Sequence, residues 1–386
     1  MSEEQPEAVE FVQLGTVADI VMGQSPVGEA CNRSGAGDPL LNGPTEFGQR
    51  SPTPAQWTTA PTRFAEPDDV LFCVRGSTTG RMNIADRRYC VGRGIAAIRG
   101  RSKADTQFIY HAISANLDEL LALTTGTVFP NISGADLRGF EIPWPETNDR
   151  HRIADVLTHL DEAVGAAARI RELVGAAAQA IVASSPEVCM VRDLSSALRT
   201  QWYPGKNHMQ VVDHYSLPAF DALCEPERVD AAQIASNKLR VGQPSVLFSR
   251  LNPGTNRTWL CSPSSDVDAS VCSTEYAVLV PTEISVGLLW ATLSSGELCD
   301  QLAAATTGTS ASHQRVSEET LLASFVPDPR ALDSDRQAEA ETYVQSFIEK
   351  DQELRVLRQA RNTLAPLLVS GELRVGAAGT GAGVRS

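Results

Sequence analysis

A chain of 386 residues is long enough for two or three domains, and 42% hydrophobic with 21% charged residues is the composition of a folded protein rather than a disordered one. No run of 18 apolar residues occurs, which excludes a membrane-spanning helix, and the polar, acidic start (MSEEQPEAVE) has no signal-peptide pattern. The formal net charge of -14 argues against nucleic acid if taken alone, because phosphate neutralisation needs Lys and Arg.

Distribution matters more than the sum. Between Arg75 and Lys103 there are eight basic residues and one acidic residue, Asp86. From Ser236 to Ser265 there are four basic residues (Lys238, Arg240, Arg250, Arg257) and no acidic one. Two basic islands thus sit in an acidic body. The eight cysteines are scattered, without a C-x-x-C pair or a Cys/His cluster at metal-ligand spacing. Reduced, mostly buried thiols, no metal and a cytoplasmic location are expected.

The chain repeats itself at about 180 residues. VLF occurs at Val70–Phe72 and Val246–Phe248, TTGT at Thr124–Thr127 and Thr306–Thr309. Pro-x-Pro follows at Pro143–Pro145 and Pro327–Pro329. The offsets are 176, 182 and 184, so order and spacing are both kept. Each copy opens with a mixed stretch of short strand-like runs, such as Val70–Val74, Ile95–Ile98 and Tyr276–Val280, broken by Gly, Pro, Asn and Ser. Helical segments are predicted over Thr106–Leu123 and Val286–Leu302.

Each copy ends in a long helix. The first runs from about Asn148 to Ala183, with Asn148 and Asp149 as cap and first-turn residues and Pro186 beyond its end. Its apolar residues recur at three- and four-residue steps: Ile153, Leu157, Leu160, Val164, Ile170, Leu173 and Ile181. Gly165 and Gly175 open Gly-Ala-Ala-Ala runs that would let a second helix come close. The second helix starts at Ser334, with Gln337 completing a capping-box pattern, and Pro366 should kink or end it. Val344, Phe347, Leu354, Leu357, Leu364 and Leu368 line one face. Two such helices would bury their stripes on each other and hold two globular heads apart. The alternative is that each helix packs only on its own head.

These divisions give an α+β fold of two similar α/β heads, with pseudo-two-fold character, joined by two long antiparallel helices. The heads cover residues 1–147 and 186–330, the helices 148–185 and 331–375. The Gly/Ala-rich tail, 376–386, is expected to be disordered.

Several motifs lead nowhere. Gly92-x-Gly94-x-x-Ala97 fits a dinucleotide fingerprint as a string but lacks the βαβ context and the acidic residue beyond it. There is no P-loop and no Asn-Pro-Pro-aromatic motif of an amino-methyltransferase. The six histidines, His111, His151, His159, His208, His214 and His313, read as surface or polar-core residues.

The segments DVLFCVRGSTTG, TTGTVFPNISGADLRGFEIPWPE and RHRIADVLTHLDEAV, the repetition of this arrangement and the ending LLVSGELRV resemble the specificity subunit of type I restriction-modification systems, over about residues 10 to 375. The resemblance implies two target-recognition domains that each read half of a split double-stranded DNA site, and a helical spacer that sets the gap. It implies two methyltransferase subunits carrying S-adenosylmethionine, joined by nuclease-translocase subunits, and no catalysis or cofactor in this chain. Partner-binding residues would lie on the helices: Ile153, Leu157, Leu160, Val344, Phe347, Leu354 and Leu357. Two departures stand out: Asp149-Arg150 replaces the usual Glu-Gln, and the second copy lacks Phe-Pro-Asn after TTGT. A protein-interaction scaffold, or a similar subunit of another phage-defence methylation system, is the alternative function.

Reading bases requires forked donors and acceptors on loops, typically Arg to guanine and Asn or Gln to adenine. In the first head the candidates are Arg75, Ser77, Thr78, Thr79, Arg81 and Asn83, with Asn131 and Ser133 after TTGT. In the second they are Arg250, Asn252, Asn256, Arg257 and Thr258, with His313, Gln314 and Arg315 after TTGT. Lys206 and Asn207, beside Trp202 and Tyr203, form a third surface.

Overall fold

The computed structural model describes residues 9–123, 131–204, 211–306 and 314–375. Lys206, Asn207, His208, His313, most of both TTGT motifs and the tail from 376 lie outside the described residues. The chain forms two compact units, Met1–Ala166 with Val356–Ser386, and Ala167–Arg355. The division therefore falls inside the two long helices rather than at their ends.

In the first unit Val70–Cys73 is a strand whose four residues are all buried. Its alternation explains why. Val70 and Phe72 pack on one side with Ala96, Ile98 and the helix residues Phe108, Ile109 and Ala112. Leu71 and Cys73 pack on the other side with Tyr89, Val91 and Leu41. A strand covered on both faces needs a continuous apolar run, and each fully buried side chain of this size contributes about 1.5–3 kcal/mol. This strand belongs to an antiparallel four-stranded sheet in the order Ala18–Met22, Ile95–Gly100, Val70–Cys73, Met82–Ile84. A five-stranded sheet has the order Cys31–Asn32, Gln56–Thr58, Asp38–Leu41, Tyr89–Val91, Phe64–Ala65.

The second unit repeats the plan. Its four-stranded sheet runs Ser195–Leu198, Tyr276–Pro281, Ser245–Ser249, Thr258–Cys261. Val246 and Phe248 face one core with Leu288, Leu289 and Leu293. Leu247 faces another with Trp259, Tyr215 and Val241. Its five-stranded sheet runs Glu227–Asp230, Val211–Tyr215, Ala269–Cys272, Lys238–Val241, Gln201–Trp202. The first four of these strands match, in order, the last four of the first unit's sheet. The fifth strand is added at the opposite edge, a divergence within the duplicated frame.

The two shorter helical segments each divide in two. Lys103–Ala115 and Leu117–Ala122 meet at Asn116, whose backbone leaves the helical region (φ -114°, ψ 26°) and whose Nδ2 donates to the Ala112 carbonyl. Val286–Leu293 and Gly296–Ala305 are separated by Ser294 and Ser295, and the Ser295 hydroxyl accepts from the Leu298 amide as a new N-cap. Apolar periodicity passes through both breaks, so the pattern alone does not show them.

Each long helix has 37 residues, Thr147–Ala183 and Ser334–Ser370. In the first unit the beginning of one packs beside the end of the other: Ile153, Ala154 and Leu157 with Ala365, Leu368 and Val369. In the second unit Ala178, Ile181 and Val182 pack with Ala340, Val344 and Phe347. The two helices are therefore antiparallel, and both also pack on the sheets of each unit.

Details of these helices differ from expectation. Pro366 lies inside the second helix, which continues to Ser370. The capping residue is Asp333, whose Oδ1 accepts from the Arg336 amide, and Gln337 donates to the Leu332 carbonyl. Ile170 and Leu173 are 42% and 61% exposed, off the buried stripe. Gly175 does permit close packing, since a Cβ there would stand 3.1 Å from Phe347 and 3.2 Å from Trp290, but at Gly165 a Cβ would meet nothing.

The expected partner-binding stripe is corrected by the same packing. Ile153, Leu157, Val344, Phe347 and Leu354 are all under 9% exposed. Leu160 is half-buried against the first unit's core, and Leu357 is also half-buried. The part of the stripe consumed in the chain's own cores is not a surface for a second subunit.

Candidate nucleic-acid interface

The loop after the central strand opens with the same backbone turn in both units. Gly76 takes a left-handed φ of +89°, and Asn252, 176 residues on, takes +49°. Asn is the side chain that best tolerates this region after Gly. From that residue a turn closes identically: the Thr79 amide donates to the Gly76 carbonyl at 3.1 Å, and the Thr255 amide to the Asn252 carbonyl at 2.9 Å. The returning strand is tied by the Cys73 amide to the Arg81 carbonyl, and by Ser249 to Arg257.

This loop is joined to the segment after TTGT by a second repeated set of bonds. The Ile132 amide donates to the Val74 carbonyl, and the Val316 amide to the Arg250 carbonyl, both at 3.0 Å. The Val74 amide donates to Gly94 and the Arg250 amide to Glu275, both at 2.9 Å. Antiparallel bridges then pair Arg75 with Asn131 and Leu251 with Arg315. The two loops singled out in each copy are thus brought together as one two-loop surface. The structural counterpart of Arg75 is Leu251, not Arg250.

On the first unit's surface Arg75, Ser77 and Arg81 are exposed, and Thr78 and Thr79 are half-buried. Thr79 Oγ1 donates to the Gly76 carbonyl and so serves the turn. Asn83 is corrected: it is 3% exposed, and its Nδ2 donates to the carbonyls of Gly48 and Met82. As the middle residue of Met82–Ile84 it points inward by strand alternation. Ser133 is a helix cap: its hydroxyl accepts from the Asp136 amide, while Asp136 accepts from the Ser133 amide. Bonds to its oxygens from the Ser133 hydroxyl and the Ser133 amide hold the Asp136 carboxyl below its usual pKa range.

The second unit is more heavily corrected. Thr258 is 6% exposed and its hydroxyl donates to Asn256 Oδ1; Asn256 Nδ2 donates to the Ser294 carbonyl at 2.7 Å. Arg257 forks onto Asp221 with bonds of 2.6 and 2.9 Å, and its side chain is 17% exposed. These three residues fix the loop to the body. Arg250 donates to the Thr274 carbonyl, Asn252 and Gln314 are half-buried, and Arg315 is exposed beside Glu275.

The basic islands fare differently too. In the first, Arg99 forks onto buried Asp69, and Arg87, Arg88 and Lys103 pair with Asp86, Glu66 and Asp68. Arg75 and Arg81 have no acidic partner among the described residues. The second island largely dissolves. Lys238 is 9% exposed, bonds Ser236, and is pushed to a lower pKa by burial, which leaves Arg240 as its exposed cation. Sequence spacing gave no signal for Asp221 or Glu275, which lie outside the loops they hold.

The remaining motifs find structural uses. Gly92 and Gly94, the string that resembles a dinucleotide fingerprint, allow the backbone to lie against Asn42: a Cβ at Gly94 would stand 2.5 Å from the Asn42 carbonyl oxygen. Gly94→Ala is therefore expected to cost about 1–3 kcal/mol by overpacking and to loosen the Val74–Gly94 bond. Faster amide exchange at Val74 and Ile132, with Arg250 and Val316 unaltered, would be the signature; unchanged exchange at all four sites would contradict it. His111 is a polar-core histidine, 3.2 Å from Thr158 Oγ1, and burial, with the charges of Arg361 and Arg50, depresses its pKa to about 3. No group of His, Cys, Asp and Glu fit for a metal occurs among the described residues, and no described helix is long and apolar enough to cross a membrane.

Residues 6–174 match the model of the type I restriction modification DNA specificity domain. Over that stretch the chain is similar to this domain. The family that the sequence resembles is thus the one whose model matches, over the part that contains the first unit's two-loop surface. A putative type I restriction enzyme MjaX specificity subunit of Methanocaldococcus jannaschii is 35% identical over 164 residues, which are 42% of this chain and 38% of that protein. A putative type I specificity subunit of Mycoplasma genitalium, S.MgeORF438P, is 29% identical over 103 residues, 26% of this chain and 27% of that one. The chain spans well under half the length of these curated relatives. The crystal structure of a type I restriction-modification S subunit from M. genitalium matches 94% of this chain and 96% of its own, with a TM-score of 0.58 at 16% identity. The fold around the specificity domain, two sheet-rich domains with long helices, is therefore that of a known S subunit.

Proposed function

We propose that this chain is the DNA-reading subunit of a type I restriction-modification complex and performs no catalysis itself. It recognises a bipartite double-stranded site, one half through each unit's two-loop surface. The helices that run from unit to unit set the gap. Methyl transfer belongs to two methyltransferase subunits that carry S-adenosylmethionine, and cleavage to nuclease-translocase subunits.

The observation that carries this reading is the repeated two-loop surface, with the same left-handed turn and the same interloop bonds in both units. A chain that builds the same two-loop frame twice, with different side chains on it, suits a ligand that offers two related sites, and a duplex does so. The net charge of -14 fits a division of labour in which this chain supplies base contacts and its partners much of the phosphate contact.

Salt separates this from a protein scaffold. The purified complex of this chain with its methyltransferase subunits should lose duplex affinity by about 10³ or more between 50 and 200 mM salt, as several phosphate contacts require. Omission of this chain should remove sequence preference. A salt-insensitive complex, or one that keeps its preference without this chain, would refute the proposal.

A further inference from the structure

In each unit two positions meet where the two loops join, and across the units their arrangement is reciprocal. In the first unit the bridge pairs Arg75 with Asn131; in the second it pairs Leu251 with Arg315. The repeated backbone bonds fix the equivalences, Arg75 with Leu251 and Asn131 with Arg315. Residues paired across an antiparallel bridge stand side by side on one face, with Cβ atoms about 4.5–5.5 Å apart. One arginine is therefore offered at the same place in each unit, from the first loop in one and from the second loop in the other.

We infer that Arg75 and Arg315 are the corresponding specificity-determining residues of the two units, each reading a G·C pair in its own half-site. This rests on the proposed DNA-reading function. Both side chains are exposed, and that of Arg315 is 64% exposed. The other loop arginines of the second unit are engaged: Arg257 is forked on Asp221 and Arg250 is held by the Thr274 carbonyl. Guanine presents two acceptors in the major groove that match the two-pronged guanidinium. The units differ in support. Arg315 touches Glu275, whose position in the first unit is Gly94, while Arg75 has no acid beside it among the described residues. The carboxylate restrains Arg315 while most of its donors remain free.

The test is selection from a random-sequence duplex library by the complete complex, followed by sequencing. The wild-type chain should return a two-part motif with a G·C pair in each half. Arg75→Ala should lower the preference for one such pair by about tenfold or more in one half only, and Arg315→Ala should do so in the other. The exchange Arg75→Asn with Asn131→Arg should restore the first preference, and Leu251→Arg with Arg315→Leu the second. A purely structural role would not survive such an exchange. If the exchanges fail to fold, as judged by circular dichroism, the two alanine variants decide, since both remove exposed side chains. A wild-type motif returned unchanged by both alanine variants overturns this inference and leaves the proposed function standing; no motif from the wild-type complex overturns both.

Discussion

Arg150→Ala is expected to destabilise the first unit by about 3–5 kcal/mol, as the removal of one partner from a buried ion pair does. Arg150 and Asp105 have side chains only 8% exposed, with Nε 2.7 Å from Oδ1. Arg150 Nη1 also donates to the Pro145 carbonyl at 2.7 Å, and the guanidinium lies 4.1 Å over the Trp144 ring. Trp144 in turn packs edge-on against Phe108. The residue therefore ties the start of the long helix to the helix Lys103–Ala115. Burial pushes the Asp105 carboxyl up, but bonds from Arg150 and Ser102 and the Arg150 charge outweigh it, and the carboxyl stays below its ordinary value. The sign follows from that depression. The pair's stabilisation is complete above the unfolded-state pKa of about 3.9 and is lost as pH falls through the folded one. In Arg150→Ala the carboxyl loses its main partner and rises; once it lies above the unfolded-state value the sign reverses, so the variant's loss is greatest near neutrality and shrinks as pH falls towards 4. Urea unfolding between pH 4 and 8 measures this, and an unchanged midpoint at pH 7 would contradict it. Replacement of both partners, Arg150→Met with Asp105→Leu, should recover most of the loss, because no unpaired charge remains.

The Asp149-Arg150 pair shows how far the sequence was legible. It appears in sequence only as a departure from the family pattern, with nothing to say that Arg150 turns inward. What could be read was periodic and repeated: the doubled frame, the central strands at Val70 and Val246, and two long helices within a few residues of their ends. These depend on many residues acting together. The helix breaks at Asn116 and Ser294 depend on single side chains that bond backbone, and apolar spacing does not register them. Burial at strand ends was misjudged for the same reason. Asn83 and Thr258 look like loop residues because they are polar and follow a glycine-bearing turn, yet the chain has already re-entered the sheet there. The charge islands were legible as counts, whereas Asp69, Asp221 and Glu275, distant in sequence, decide which of those charges remain free.

The position equivalent to Asn83 in the second unit, 176 residues on, is Trp259, and its removal should have a comparably large effect. The same inward slot is filled by an amide bonded to carbonyls in one unit and by an indole in the other. Trp259 is 2% exposed, with Tyr215 and Phe220 edge-on at 5.0 and 5.1 Å, and its Nε1 donates to the Tyr276 hydroxyl at 2.9 Å. Trp259→Ala leaves a cavity among these rings and a Tyr276 hydroxyl with only its 3.5 Å bond to the Ser216 carbonyl, at a cost of about 3–5 kcal/mol. Trp259→Phe keeps most of the volume and should cost roughly 1–2 kcal/mol, chiefly the hydrogen bond. Trp259 directly follows Thr258, whose carbonyl accepts from Trp290 Nε1 at 3.2 Å. Loss of the indole therefore reaches the Asn256–Thr258 anchor and, through it, the two-loop surface of the second unit. Hydrogen exchange should quicken across Tyr276–Pro281 and Ser245–Ser249 in Trp259→Ala, and selected DNA should lose sequence preference in the half that Arg315 governs. Retention of that half-site by a variant whose strands exchange freely would show that the surface does not depend on the core beneath it.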